Sequence, residues 1–431
     1  MGFKKIVIVG AGPAGLLLAL LLARKGISVT ILDAAEELDK QPRATHYGAP
    51  AVVELRRAGV IDDVRAEGFI PRKVCWRKID TTYLTGIDCD HLGDHPDRMT
   101  MLPLNKLGHI LYKHLLAQPA AEVLFNHKVV SQGQDAEKAW VEVKLAGGEI
   151  KNYEADYIIG CDGANSQVRR SLFGDRAFPG KTWDEQLVAT NASSLPSQLA
   201  TVTYYDFTKY GYEDANFIID PHHWYMASRI SNDGLWRVTY GEPDGYTRDE
   251  LIARQPEKFR AMLPGNPTTE QYTLANISPY KVHQRLAESM RVGRFLLAAD
   301  AAHLCNPMGG LGLTGGIVDV GGLYDCLLGI YEGKAGEEIL NTYSDVRRAK
   351  YNDIVDPISS ENLVRVFESD PETVLETDKF FQMCKRAETD LEFSKEFQNA
   401  SFSRVKGINV LKYDFTEHYI GGPKYNAAIS V

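Results

Sequence analysis

Three clusters of residues carry the chemistry open to this sequence. The first, VGAGPAG, sets Gly10, Gly12 and Gly15 in a G-x-G-x-x-G pattern between two apolar runs. There Gly10 permits a tight turn, Gly12 lets a pyrophosphate approach the backbone, and Gly15 lets a helix pack closely on a strand. The N–H groups and dipole of the helix start, with Ala14 in its first turn, favour that anion. Asp33 ends the next apolar run, 18 residues past Gly15, close to the ~20-residue spacing of a ribose-binding acid. The combination implies a dinucleotide and leaves NAD and FAD both open.

The second cluster is YIIGCDGANSQVRRSLFG at 157–174. An apolar strand ends at Gly160, Asp162 and Gly163 form a turn, and Ser166 can cap a helix carrying Arg169 and Arg170. The third is GRFLLAADAAHLCNPMGGLGLTGG at 293–316, where an apolar strand runs into Asp300, then His303, Cys305 and Pro307, then glycines. Asp300 is either a ligand contact or a helix cap, and this stretch alone leaves both open.

The elements that must position these clusters follow from periodicity. KKIVIVG, the glycine turn, GLLLALLLARKG and SVTILD read strand, turn, helix, strand, the start of a parallel sheet with a right-handed crossover. Leu104, Leu107, Leu111 and Leu115 have helical spacing over 104–118, with Asn105 as the expected cap. Residues 121–163 read as a meander returning to the main sheet, with a hairpin at Gly147 and Gly148. Between 180 and 280 short runs such as LATVTYYDF, NFIID, HHWYMASRI and LWRVTYG have the texture of an antiparallel sheet with one covered face. Beyond 335 the chain is helical and highly charged.

The expected fold is therefore α/β: a Rossmann-like dinucleotide-binding domain (1–178 and 281–350), an inserted β-rich substrate domain (179–280) and a helical C-terminal region (351–431). With 431 residues, 44% of them hydrophobic, the chain can bury a large core. Its net charge of −9 gives no sign of a nucleic-acid or anionic-membrane partner. Six scattered cysteines form no C-x-x-C pair, and no secretory signal precedes the first strand, so reduced thiols in a cytoplasmic protein are expected. LLLALLLA at 16–23 falls short of the ~20 residues that span a bilayer. No other segment is expected to come near that length, and no membrane-spanning segment is expected.

The three motifs, in this order, resemble those of the class A flavoprotein monooxygenases, the single-component aromatic hydroxylases of the 4-hydroxybenzoate and salicylate hydroxylase type. LNTYSDVRR at 340–348 is similar to the helix that follows their flavin site, and the resemblance covers most of residues 3–350. It implies an extended FAD with its pyrophosphate at residues 10–15 and its adenosine ribose on Asp33. Asp300 would meet the ribityl or pyrophosphate part, while Gly310, Gly312 and Leu313 would bring backbone N–H groups to the isoalloxazine ring. Asp162 would lie near FAD and a transiently bound NAD(P)H, Arg43 between FAD and the reductant, and the Pro307 carbonyl near the reacting ring. Three positions depart from the family pattern: Ala299 stands where glycine is usual, Thr314 where asparagine is frequent, and Leu104 where arginine or glutamine opens the helix, with Asn105 beside it.

The activity implied is hydroxylation of a phenolic or aromatic acid substrate through a flavin C4a-hydroperoxide, with decarboxylative hydroxylation open. The partners would be a small aromatic substrate and O₂, and a homodimer is left open. A phenol reacts faster as phenolate, so a base or hydrogen-bond acceptor is needed. His46, just past Arg43, is one candidate; Tyr204, Tyr205, Tyr225, Arg229, Arg237 and Tyr240 of the β-rich segment are others. Tyr204 and Tyr205 point to opposite faces, so at most one can face the flavin. Arg229 or Arg237 can fork onto a substrate carboxylate. His303 is expected to be structural and Cys305 to be core filler. An FAD-dependent epoxidase acting on an alkene and a non-catalytic flavin-binding protein are the competing readings. A flavin halogenase is disfavoured because no W-x-W-x-I-P occurs.

Overall fold

The computed structural model describes residues 2–193, 205–232, 234–402 and 411–425. Its main sheet has six strands among the described residues, in the order Arg291–Val292, Phe295–Leu297, Tyr157–Gly160, Lys5–Val9, Ser28–Leu32 and Ala121–Leu124. All neighbours are parallel except the edge hairpin of Arg291–Val292 with Phe295–Leu297. The central strands are largely apolar because helices cover one face and the three-stranded sheet of residues 127–155 packs against the other. The helix Pro13–Ala23 is the innermost: residues 15–23 are all buried, and proline in its first turn costs no internal hydrogen bond. The sheet thus brings the C-terminal ends of Lys5–Val9, Tyr157–Gly160 and Phe295–Leu297 side by side, and each of the three sequence clusters starts at one of these ends.

A second sheet stands beside it, with eight strands among the described residues, in the order His303–Leu304, Thr273–Leu286, Gly180–Ser193, Trp236–Glu242, Tyr225–Arg229, Ala215–Ile219, Lys73–Lys78 and Tyr83–Asp88. It is wider than the inserted segment 179–280. Residues 73–88 supply two strands, one of them paired in parallel with Ala215–Ile219. The texture expected of 205–280 is otherwise realised; the start of LATVTYYDF, with Tyr204, lies outside the described residues. One face of the sheet packs on a core of Tyr225, Ala227, Trp236, Val238 and Tyr240. The alternate residues line a cavity between the two sheets.

Residues 127–155 form the expected three-stranded meander. After the long helix Leu311–Tyr331 the chain is helical, and Phe380 and Phe381 pack edge-on against Trp76 at one end of the cavity. One expectation is corrected: Leu311–Tyr331, 21 residues, is long and apolar enough to cross a membrane by length and composition, with 83% of its apolar stretch buried inside the protein.

Candidate active site

The glycine turn is shaped by close approach. A Cβ on Gly15 would stand 2.1 Å from the Gly10 carbonyl oxygen, and one on Gly10, at φ +108°, 2.4 Å from the Cys161 carbonyl oxygen. A Cβ on Gly12 would meet nothing within 4 Å; that residue and Ala14 border a cavity of about 910 Å³. Asp33 latches the turn: Oδ2 accepts from Ala11 N at 2.6 Å and Oδ1 from Ala35 N at 2.8 Å. It also borders the cavity, and each oxygen keeps a lone pair for a further donor.

Asp162 holds the next wall. Its Oδ2 accepts from Gln167 N (2.6 Å) and Val168 N (3.2 Å), the first amides of the helix Gln167–Phe173. Ser166 caps the same helix through Arg169 N at 3.0 Å, as expected from sequence. Asp162 Oδ1 is buried with no hydrogen-bond partner among the described residues, and the residue lines the cavity. Burial raises its carboxyl against those hydrogen bonds. An orphaned buried oxygen here costs free energy unless a ligand donor meets it.

The third wall rests on Asp319. Its Oδ2 accepts from Ala299 N (3.0 Å) and His303 Nε2 (2.7 Å), and its Oδ1 from Arg347 Nε (2.5 Å). All three side chains are buried, so His303 is structural, as expected. Ala299, in place of the usual glycine, is held at φ +56°, a left-handed conformation unfavourable for any residue with a Cβ. A Cβ on Gly316 would stand 2.7 Å from the Ala299 Cβ, so this neighbour must be glycine. Thr314 holds a different contact. Its Oγ1 accepts from Gly48 N at 3.1 Å, tying the long helix to the start of Ala49–Arg57.

Asp300 caps no helix; the short turn Ala299–Ala301 has no side-chain cap. Its side chain opens onto the cavity, yet it sits so deep in the protein that loss of hydration raises its carboxyl, with His303 and Arg43 opposing. No hydrogen bond to its carboxylate is found among the described residues. Gly309 and Gly310 take φ +127° and +65°, and Pro307 accepts from Gly310 N at 3.2 Å. Pro307, Gly310, Gly312 and Leu313 all border the cavity at the N-terminus of the long helix. The first N–H groups of that helix have no partner within it. Two helix N-termini, the open side of Gly12, Asp300 and the unpartnered Asp162 oxygen fit an extended FAD.

Strand alternation sorts the substrate candidates. Val74, Trp76, Ala215, Phe217, Met226, Ser228, Arg237 and Thr239 line the cavity. Arg229 shares the opposite face with Tyr225 and Ala227, so it cannot reach a ligand. It is tied to Asp214 (2.7 Å) and lies 4.0 Å from the Phe69 ring centre. Tyr205 is corrected likewise: it is buried among Phe207 and Tyr210 and does not border the cavity. Tyr225 bonds Tyr212, and Tyr240 packs on Phe259. Asn105 is not a cap. It lies in the first turn of Leu104–Leu116, with Nδ2 on the Lys40 carbonyl and a buried, unpartnered Oδ1 beside the cavity.

His46 does line the cavity, with Nδ1 2.9 Å from Thr45 Oγ1. Burial, then the charge of Arg237, lowers its pKa to about 4, so the imidazole is neutral at pH 7. Arg43 sits on the cavity rim, exposed and paired with Asp39 at 2.9 Å. Burial raises the Cys305 thiol to about 12, leaving it unreactive. Trp76, Phe217, Met226 and Phe380 form the apolar end, and sequence alone does not single them out. Alternation in the strands identifies the first three only once the register is known.

A family model described as "FAD binding domain" matches residues 4–357. A para-nitrophenol 4-monooxygenase from Pseudomonas sp. (strain WBC-3) is 36% identical over 394 residues, 91% of this chain and 94% of that protein. The 6-hydroxy-3-succinoylpyridine 3-monooxygenase HspB of Pseudomonas putida (strain DSM 28022 / S16) is 36% identical over 373 residues, 85% and 90% of the two chains. The crystal structure of p-nitrophenol 4-monooxygenase PnpA from Pseudomonas putida DLL-E4 superposes with a TM-score of 0.83 at 34% identity, covering 93% of this chain and all of that one.

Proposed function

This chain belongs to the FAD binding domain family of flavoprotein monooxygenases and is an FAD-dependent enzyme, and from that premise we propose that it hydroxylates a phenol with NAD(P)H and O₂. One observation carries the reading: the three motif walls and the apolar face of the large sheet enclose a single cavity. FAD, when bound, supplies the reduction and oxygen activation. Asp33, Asp162, Asp300 and the amides of Gly12, Ala14, Gly15 and residues 311–313 are the groups proposed to hold it. Trp76, Phe217, Met226 and Phe380 give the ring a slot that excludes water. His46, being neutral, accepts the phenolic hydrogen as a hydrogen bond rather than removing the proton outright.

The domain division goes with this reading: a cofactor domain, a substrate domain of 179–280 joined by 73–88, and a helical region after 351 that closes the slot with Phe380. NAD(P)H is proposed to reach the site past Arg43 without a fold of its own. The cysteines form no disulfide among the described residues, which supports a reducing, cytoplasmic setting. Assembly as a homodimer is carried with the proposal, and light scattering checks it. The functional test is a panel of simple phenols offered to the FAD-loaded protein. Phenol-stimulated NAD(P)H oxidation with a hydroxylated product is expected; a fully flavinated protein that no phenol stimulates would overturn the reading.

A further inference from the structure

Arg237 is a cation on the cavity wall, and among the described residues no carboxylate pairs with it. Its Nε donates to Asn191 Oδ1 at 2.9 Å and one Nη2 hydrogen to the Pro42 carbonyl. Both acceptors are neutral, and among the described residues no hydrogen bond from Nη1 is found. Every other charged or titratable group facing it leaves that charge uncompensated. Arg43 on the rim is a like charge, His46 is neutral, and Tyr280 presents only a hydroxyl. Asp214, whose charge acts on His46, is held by Arg229 and by Arg72 N. Loss of hydration lowers the guanidinium to about 10, the signature of a cation lacking its counter-charge. Buried charges are ordinarily paired.

Its position relative to the slot is fixed by register. Ala215, Ser228, Arg237 and Asn191 form one row across the sheet, and Phe217, Met226, Thr239 and Ala189 the next. The rows are two residues apart along each strand, about 7 Å, close to the reach from a ring centre through one oxygen substituent and its hydrogen bond, about 6 Å. A ring lying on the Phe217 and Met226 row therefore carries a substituent to Arg237.

We infer that Arg237 is a specificity-determining residue that receives an anionic oxygen of the substrate while the ring lies on the Phe217 and Met226 row. This rests on the phenol-hydroxylase reading and deepens it. His46 is too weak a base to generate the reactive phenolate alone, and a fixed guanidinium stabilises that anion without taking a proton. The anionic oxygen has two chemical sources, a phenolate or an aryl carboxylate. A carboxylate can take the remaining Nη donors as a two-oxygen fork, and a phenolate accepts them at its single oxygen.

The test is equilibrium binding to the FAD-loaded protein without NAD(P)H, read from perturbation of flavin absorbance. The probes are 4-nitrophenolate, benzoate, and 4-nitroanisole as the neutral analogue. The proteins are wild type, R237M, R237K and N191A, with FAD content measured for each. An anion on Arg237 predicts about ten- to a hundred-fold weaker binding of the anionic probe in R237M, partial recovery in R237K, and unchanged binding of 4-nitroanisole. N191A keeps the charge but removes the Arg237 Nε acceptor at 2.9 Å as well as a contact with the Pro42 carbonyl at 3.2 Å, and is expected to weaken the anionic probe less than R237M does while leaving 4-nitroanisole unchanged. Loss confined to 4-nitrophenolate makes the phenolate the source; loss confined to benzoate makes it the carboxylate. Equal weakening of the neutral probe in R237M or N191A would overturn the assignment in favour of a loop-holding role. R237M that binds every probe normally but raises only the KM for NAD(P)H would also overturn it. A wild-type protein replete in FAD that binds no aryl probe would fail the phenol-hydroxylase reading itself.

Discussion

Asp319 is the support on which the Asp300 wall stands, and D319N removes its charge while keeping its shape. In the native protein it takes hydrogen bonds from the Ala299 amide, His303 and Arg347, with its side chain and those of His303 and Arg347 no more than 3% exposed. Asparagine can accept on only one side, and its amide turns a donor towards the other set of donors. One charge-assisted bond is certain to be lost and a second is weakened, each worth about 1.5–3 kcal/mol. That agrees with the about 3–5 kcal/mol for stripping one partner from a buried ion pair. The same bonds fix Ala299 in its left-handed conformation, so D319N is expected to loosen Asp300 and lower FAD affinity as well as stability. Denaturant titration of the FAD-free protein measures the first effect, and flavin fluorescence on dilution measures the second. The pH dependence adds a check. Interaction with His303 and Arg347 outweighs burial and holds the Asp319 carboxyl down to about 2, from an ordinary 3.8. Its contribution is therefore complete above about pH 4 and is lost as pH falls from about 4 to about 2. D319N within 1 kcal/mol of wild type, with unchanged FAD affinity, would refute the supporting role.

Glycine positions separate folding from binding. G12A is expected to fold normally and lose FAD, because its Cβ meets no protein atom and its φ of −70° suits alanine; G15A is expected to fail in folding, and circular dichroism with flavin content distinguishes the two. For His46, burial and Arg237 lower the folded-state pKa from 6.5 to about 4. The native state then binds fewer protons than the unfolded one between those values, and this residue's contribution makes stability rise with pH across that window. Comparing wild type with H46A by denaturation between pH 4 and 7 checks this, and an acid limb in kcat/KM arising from His46 is expected near pH 4 rather than 6.5. R229M is expected to cost about 1–3 kcal/mol through the partly exposed Asp214 pair and to leave phenol binding unchanged by flavin-absorbance titration.

The parts of the site that are legible from sequence are those built from local backbone. Gly10, Gly12, Gly15, Ser166 and the glycines after Pro307 announce turns and helix starts that neighbouring residues alone determine. Asp300 is legible as a candidate but its role is not: only three-dimensional placement shows that it caps nothing and faces the cavity. The choice between Arg229 and Arg237 hangs on strand parity, which alternation gives only relative to an anchor. With Tyr225 and Val238 in the core, Arg229 is excluded and Arg237 is admitted. Residues 73–88 fall by position within the expected cofactor domain yet join the substrate sheet, because their partner strand lies some 140 residues later and pairs in parallel, a contact without local signal. Phe380 is a still longer-range arrival. The unusual Ala299 and Thr314 acquire meaning only beside Gly316 and Gly48, the residues each of them touches.

The central claim is that this cavity binds FAD and hydroxylates a phenol. The most direct measurement is one turnover experiment: FAD-loaded protein, NAD(P)H and a phenol that stimulates its oxidation, under isotopically labelled dioxygen, with the product analysed by mass spectrometry. The account predicts one labelled oxygen atom in the ring of the product for each NAD(P)H consumed. Reductant consumption with hydrogen peroxide as the sole oxygen product, or oxygen in the ring that comes from water, would contradict it.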